Sequence, residues 1–167
     1  MVERKLTAMV RALHDAGAEF LVVGELSAVL NGAPVNTYDV DVVHRRTSGN
    51  VDRILSVLDS LNAVCRIQPQ RRLRPVRSSL ISTGHQNLIT KYGPLDLLGE
   101  IGDGLGYDEL LPRSAEILIA EGVRVRVLNL ETLIEVKEQL NGEKDRAMLP
   151  LLRRTLEESK RKSPGGC

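Results

Sequence analysis

The sequence predicts an α/β (α+β) domain, a mixed twisted sheet with helices on one face and two C-terminal helices flanking a cleft. Three observations lead there. Apolar residues recur at helical spacing from Val2 to Ala16, from Val51 to Leu61 and again after Asn129. Short β-branched or alternating runs at Glu19 to Val23, around Asp39 to Val43 and at Val123 to Leu128 carry the period of strands. Glycine and proline punctuate the joins. At 167 residues with ordinary apolar and charged content, the chain reads as one globular domain over 1–159 and a loose tail over 160–167.

The elements follow in order. Leu6, Met9, Val10 and Leu13 form the stripe of an amphipathic cover helix, and Gly17 stops it as a C-cap glycine would. Glu19 to Val23 is the first strand, and Leu26 to Asn31 a short helix closed by Gly32 and Pro34. After the second strand, Thr47 or Ser48 can cap a helix with Val51, Ile54, Leu55, Leu58 and Leu61 inward, returning the chain for a third strand near Val64 to Ile67. His85 to Lys91 and Leu95 to Ile101 form an antiparallel pair joined at Tyr92-Gly93-Pro94, and Glu121-Gly122 is the turn of a second hairpin. The glycines of Gly102 to Gly106 read as a loop, because no βαβ unit surrounds them as a dinucleotide fingerprint requires. Asn129 caps the next helix, Gly142 ends it, and Glu143 to Ser159 forms the last one, with Pro150 kinking it or marking its true start.

Composition excludes several function classes. A net charge of +1 at pH 7 gives no general pull toward nucleic acid or membrane, so such a partner needs a local patch. Phe20, Tyr38, Tyr92 and Tyr107 are all the aromatics, too few for a single-strand binding surface built on stacking. Cys65 and Cys167 read as free thiols of a reducing cytoplasm, and His14, His44 and His85 lack zinc-site spacing, with His44 expected at the surface or rim. No stretch has the form of a signal peptide or a bilayer span, so the expected setting is cytoplasmic and away from membranes. Gln68 to Ser79 is the compositional outlier. Its Arg71, Arg72, Arg74 and Arg77, broken by Pro69 and Pro75, form either a solvated loop or a phosphate-contacting arm for an RNA or tRNA acceptor or for the nucleotide.

The candidate chemistry centres on Phe20 to Val43. Strand side chains alternate, so Asp39 and Asp41 share one side while Val40 and Val42 share the other. Two acids about 7 Å apart on one face repel unless a cation lies between them, and a hard divalent ion with oxygen ligands suits the spacing. Two solvated acids on an edge strand are the plainer alternative. Gly24 adds context, because a strand that turns straight into a helix there offers backbone N–H groups to a triphosphate opposite metal-bound carboxylates.

The segment resembles the signature of the DNA polymerase β-like nucleotidyltransferases, particularly the small stand-alone members related to AbiEii-type toxins. Gly24, Ser27 and the run Thr37-Tyr38-Asp39-Val40-Asp41-Val42 carry the match. Tyr92 to Leu98 is similar to the strand bearing that family's third carboxylate, here Asp96, and Leu128 to Asp145 to its helical segment with Lys137 and the later Lys144-Asp145 pair.

The resemblance implies a Mg2+-dependent enzyme, with Mn2+ as an alternative ion, that moves a nucleoside monophosphate from a nucleoside triphosphate to a hydroxyl of an RNA or tRNA end, a protein or a small molecule. In that scheme Asp39 and Asp41 hold the ions, Asp96 is the third ligand and helps activate the acceptor, and Gly24, Ser27, Lys137, Lys144 and Asp145 serve the nucleotide. Lys137 either snorkels outward or turns its ammonium into the cleft, and Asp145 either caps the last helix or orients Lys137. A toxin-type role with an antitoxin partner belongs to the same expectation. Three departures favour a catalytically impaired relative acting as a binding or regulatory module. Glu25 stands where a second glycine is usual, Asn36 where a basic residue is common, and Gly142 where an arginine is expected. A purely structural partner in a complex is the third class.

Overall fold

The computed structural model describes residues 4–162. Among them one seven-stranded mixed sheet runs in the order β3-β4-β5-β2-β1-β7-β6. The strands are β1 (Phe20–Val23), β2 (Val40–His44), β3 (Val64–Cys65), β4 (His85–Thr90), β5 (Gly93–Leu98), β6 (Ser114–Ala120) and β7 (Val123–Leu128). The helices are α1 (Arg4–Asp15), α2 (Gly24–Leu30), α3 (Ser48–Ser60), α4 (Arg77–Ile81), α5 (Tyr107–Leu110), α6 (Leu130–Leu140) and α7 (Glu143–Lys162). β2 lies antiparallel to β1 and parallel to β5, and β7 lies parallel to β1. The two expected hairpins, β4–β5 and β6–β7, are both present.

Strand alternation divides the core into two layers. Leu6, Met9 and Leu13 of α1 and Val51, Ile54 and Leu58 of α3 pack with Val22, Val40, Val42, Leu95 and Leu97 on one face. Ala28 of α2, Leu133 and Ile134 of α6, and Leu149 and Leu152 of α7 pack with Leu21, Val23, Val43 and Leu128 on the other. Residues paired across neighbouring strands share a face, and Val23↔Asp41 and Leu21↔Val43 are such pairs. Asp41 therefore belongs to the face covered by α2, α6 and α7.

Several boundaries differ from expectation. The β4–β5 turn is Lys91–Tyr92, and Gly93 and Pro94 already pair within the sheet. Thr47 precedes α3 without a side-chain capping bond, whereas Asn129 accepts the Thr132 N–H at 2.9 Å as its position predicts. Asn141, in the left-handed region at φ 49°, ends α6 one residue ahead of Gly142. Pro150 lies inside α7, which starts at Glu143, because Leu149, Leu152 and Thr155 are buried along one continuous face. Lys160 to Lys162 extend α7 where a tail was expected, while the rest of that tail, Cys167 included, lies outside the described residues.

His44 is a clear correction. It is 1% exposed, and its Nε2–H donates to the Leu80 carbonyl at 2.7 Å, tying α4 to the sheet. Burial holds its pKa below the usual imidazole value. Among the described residues no helix is long and apolar enough to cross a membrane.

Candidate functional site

The parallel register of β2 and β5 sets Asp41 directly beside Asp96. They share a side-chain hydrogen bond, and Asp41 is pushed up to about 7, first by burial, then by the hydrogen bond and charge of Asp96, with smaller contributions from Asp39 and Glu25. A proton between the two oxygens offsets the repulsion that an uncompensated pair would suffer. Arg66, just past β3, donates from Nη2 to Asp96 Oδ1 at 2.8 Å, so Asp96 lies between a guanidinium and Asp41.

Asp39 precedes β2 and is exposed, its backbone N–H donating weakly to Thr37 Oγ1 at 3.4 Å. It lines a polar cleft of about 200 Å³ with Gly24, Glu25, Asp41, Lys137, Lys144 and Asp145. Gly24 has φ +63°, and a Cβ there would collide with Asp41 Oδ2. Glycine is thus required twice over, by the backbone turn and by the carboxylate occupying the space a side chain would need.

Two lysines enter from the C-terminal helices. Lys137 has a largely buried side chain, and its Nζ stands 3.1 Å from Asp145 Oδ1. Of the two alternatives for each residue, the structure shows the cleft-facing lysine and the carboxylate that holds it. Lys144 Nζ lies 3.2 Å from Glu25 Oε1, and that hydrogen bond and charge raise the Lys144 pKa above its ordinary value. The acid at the turn is therefore neutralised by a lysine distant in sequence. Gly142 has its own local reason, since a Cβ there would come within 2.9 Å of Asp145 Oδ2.

Other expectations change. Ser27 is fully buried, and its hydroxyl donates to the Gly24 carbonyl at 2.6 Å, so it braces the turn. Arg74 pairs with Asp59 at 2.6 Å, and Arg77 pairs with Asp52 and Ser48, so these two pin the basic stretch to α3. Arg71 and Arg72 are exposed, Arg71 meeting Gln68 Oε1 at 3.3 Å. Arg66 escaped the sequence reading. Its place next to the basic stretch was the only signal, and its partner depends on β5 lying beside β4.

A second, mostly aliphatic chamber of about 210 Å³ under α6 shares Gly24, Asp41 and Lys137 with that cleft. As arranged, no group of three or more His, Cys, Asp or Glu among the described residues could hold a metal ion. In donor type, however, Asp39 and Asp41 suit a hard divalent cation.

No family model matches the sequence, and no curated protein matches it. Solved structures do. A candidate nucleotidyltransferase from Thermotoga maritima is similar over 93% of this chain and 92% of its own, at 19% identity and a TM-score of 0.57. The lincosamide antibiotic adenylyltransferase LnuA, solved with lincomycin bound, is similar over 92% of this chain and 97% of its own, at 13% identity and a TM-score of 0.60. At these identities the likeness is one of fold, and the chain has the fold of those two proteins.

Proposed function

We propose that this protein is a nucleotidyltransferase that moves a nucleoside monophosphate from a nucleoside triphosphate to a hydroxyl acceptor. The observation that carries the reading is the acidic pair Asp41–Asp96 at a glycine turn whose side-chain space Asp41 itself fills, opposite the cleft-facing ammonium of Lys137. A shared fold with an adenylyltransferase supports it.

Asp39 and Asp41 would hold Mg2+ or Mn2+, and the ion would supply charge neutralisation for the phosphates and the leaving pyrophosphate. The chain's own groups do the rest. Lys137, fixed by Asp145, presents a positive charge to the polar cleft, and Lys144 keeps Glu25 from repelling an anion there. The carboxylate pair accepts the proton of the acceptor hydroxyl, with Arg66 fixing the position of Asp96. Ser27 maintains the turn that lets Gly24 approach the nucleotide.

The ion pair between Arg66 and Asp96 favours a second reading, a relative that binds nucleotide without transferring it. Titration with Mg2+ and each nucleoside triphosphate, followed by incubation with α-labelled nucleotide and cellular RNA, protein or small-molecule extract, separates the two. The enzyme binds nucleotide and metal together and labels one acceptor class, and Asp39→Asn and Asp41→Asn lose both. Tight binding without label in any fraction supports the module instead, and no metal-dependent binding sinks both readings.

A further inference from the structure

The aliphatic chamber is not used by the phosphate chemistry just described. Val23, Leu98, Ile101, Leu133, Val136 and Leu140 form its walls, and Asp41 and Lys137 stand at its border with the polar cleft. His85 completes the lining, and its Nε2–H is already donated to the Glu100 carbonyl at 3.0 Å. Gly24, Asp41 and Lys137 line both the chamber and the polar cleft, so the two lie side by side at these residues. Phosphates gain nothing from aliphatic walls, so the charged half of a reaction belongs in the polar cleft and an uncharged half belongs here.

We infer that the chamber is the acceptor subsite and that it takes a compact, uncharged alcohol with a ring-sized hydrocarbon body, its hydroxyl directed at Asp41. The inference rests on the nucleotidyltransferase reading and names its substrate class. Size limits the occupant. An apolar cavity of about 150 Å³ accommodates benzene, and drug-sized ligands need about 300 Å³ or more. At about 210 Å³ this chamber takes one ring with small substituents. A nucleobase is a poor match, because six aliphatic side chains form the walls and His85, the one ring in the lining, has its Nε2–H committed to the Glu100 carbonyl. An RNA end or a protein loop would bring charged or amide backbone into an aliphatic enclosure. Aliphatic walls would leave the charge of a cationic acceptor without solvation or a counter-ion inside the chamber.

The reaction balances without a further reactant. The alcohol oxygen forms a bond to the α-phosphorus, the bond from that phosphorus to the bridging oxygen of the β-phosphate breaks, and pyrophosphate leaves with the electron pair. The hydroxyl proton passes to the carboxylates at the junction and from there to water.

Cyclohexylmethanol is the test compound, titrated without nucleotide into protein carrying labelled Ile, Leu and Val methyl groups. The expected result is saturable shifts at Ile101, Leu133 and Val136, with affinity at least ten-fold weaker in Leu140→Trp, whose larger side chain takes up chamber space, and retained in Leu140→Ala. Leu140 is 59% exposed, so both variants keep the core intact. With α-labelled ATP and Mg2+, label should then appear in a cyclohexylmethyl ester of AMP. No shift in the chamber, equal shifts at Ile117 and Leu118 of β6, chamber shifts caused by ATP alone, or binding without ester formation when ATP is turned over on another acceptor would each overturn the proposal. Absence of any response to ATP, GTP, CTP and UTP with Mg2+ defeats the transferase reading separately, because alcohol binding is measured without nucleotide.

Discussion

Asp41 holds its carboxyl next to Asp96 in surroundings with little water. In the unfolded chain it ionises near 3.8, and in the folded protein near 7. Between those values the folded state keeps a proton that the unfolded state has released, so the contribution of this group to stability falls as pH rises across the window. Asp41→Asn removes the penalty. In chelator and without nucleotide, the variant should melt higher than the parent at pH 8, by about 2–4 °C for each kcal/mol regained, and its Tm should vary less between pH 4 and 7. Calorimetric scans across that range check this, and parallel profiles for parent and variant would mean that Asp41 is not strained by its neighbour. The residue itself was legible in the sequence, because alternation along one strand is local. Arg66 and the Lys144–Glu25 pair were not, because each joins residues that only the folded sheet and the C-terminal helices bring together.

At the scale of elements, α6 and α7 meet across the Lys137–Asp145 pair, whose side chains are 12% and 22% exposed. Removing one member leaves a half-buried charge without its partner, which costs more than removing both. Asp145→Ala alone should destabilise by about 2 kcal/mol, and adding Lys137→Met should recover a substantial part of that. Urea denaturation of the two single variants and the double variant gives the coupling, and strictly additive losses would show that the two groups do not depend on each other. The stripes of both helices could be read directly, since Leu130, Leu133 and Ile134, then Leu149 and Leu152, fall at helical spacing. Of the two readings of Pro150, a start at the proline is excluded, because α7 begins at Glu143 and buried neighbours on both sides carry the helix through it. α4 was not visible at all. It is five residues long, and its Leu80 carbonyl is held by His44, a contact no neighbouring sequence encodes.

At the scale of the whole molecule, the sheet joins strands far apart in the chain, and periodicity alone carries no information on that order. Strand existence was legible at nearly every position, but the central place of β2 and its pairing with β5 depend on which faces bury the most apolar surface. His44 shows the same limit, since a histidine beside two arginines resembles a rim residue until α4 closes over it. Its lowered pKa has a global consequence. The neutral form is favoured in the fold, so the stability it contributes is complete above about 6.5 and is lost as pH falls toward the lower folded value. His44→Gln can still donate to the Leu80 carbonyl but does not titrate. Compared with the parent by urea unfolding from pH 7 to 4.5, it should lose less stability toward acid, and an identical loss would place the acid sensitivity elsewhere. The in-register acids of β2 and β5 also guard assembly. If β5 slid by one residue along β2, Asp96 would be driven into oil beneath α1 and α3 while Leu95 and Leu97 turned toward Asp41 and the acidic side of the sheet. A misaligned chain would thus be penalised by the same carboxylates that a correctly aligned one puts to chemical use, so that competence and correct strand pairing are inherited together.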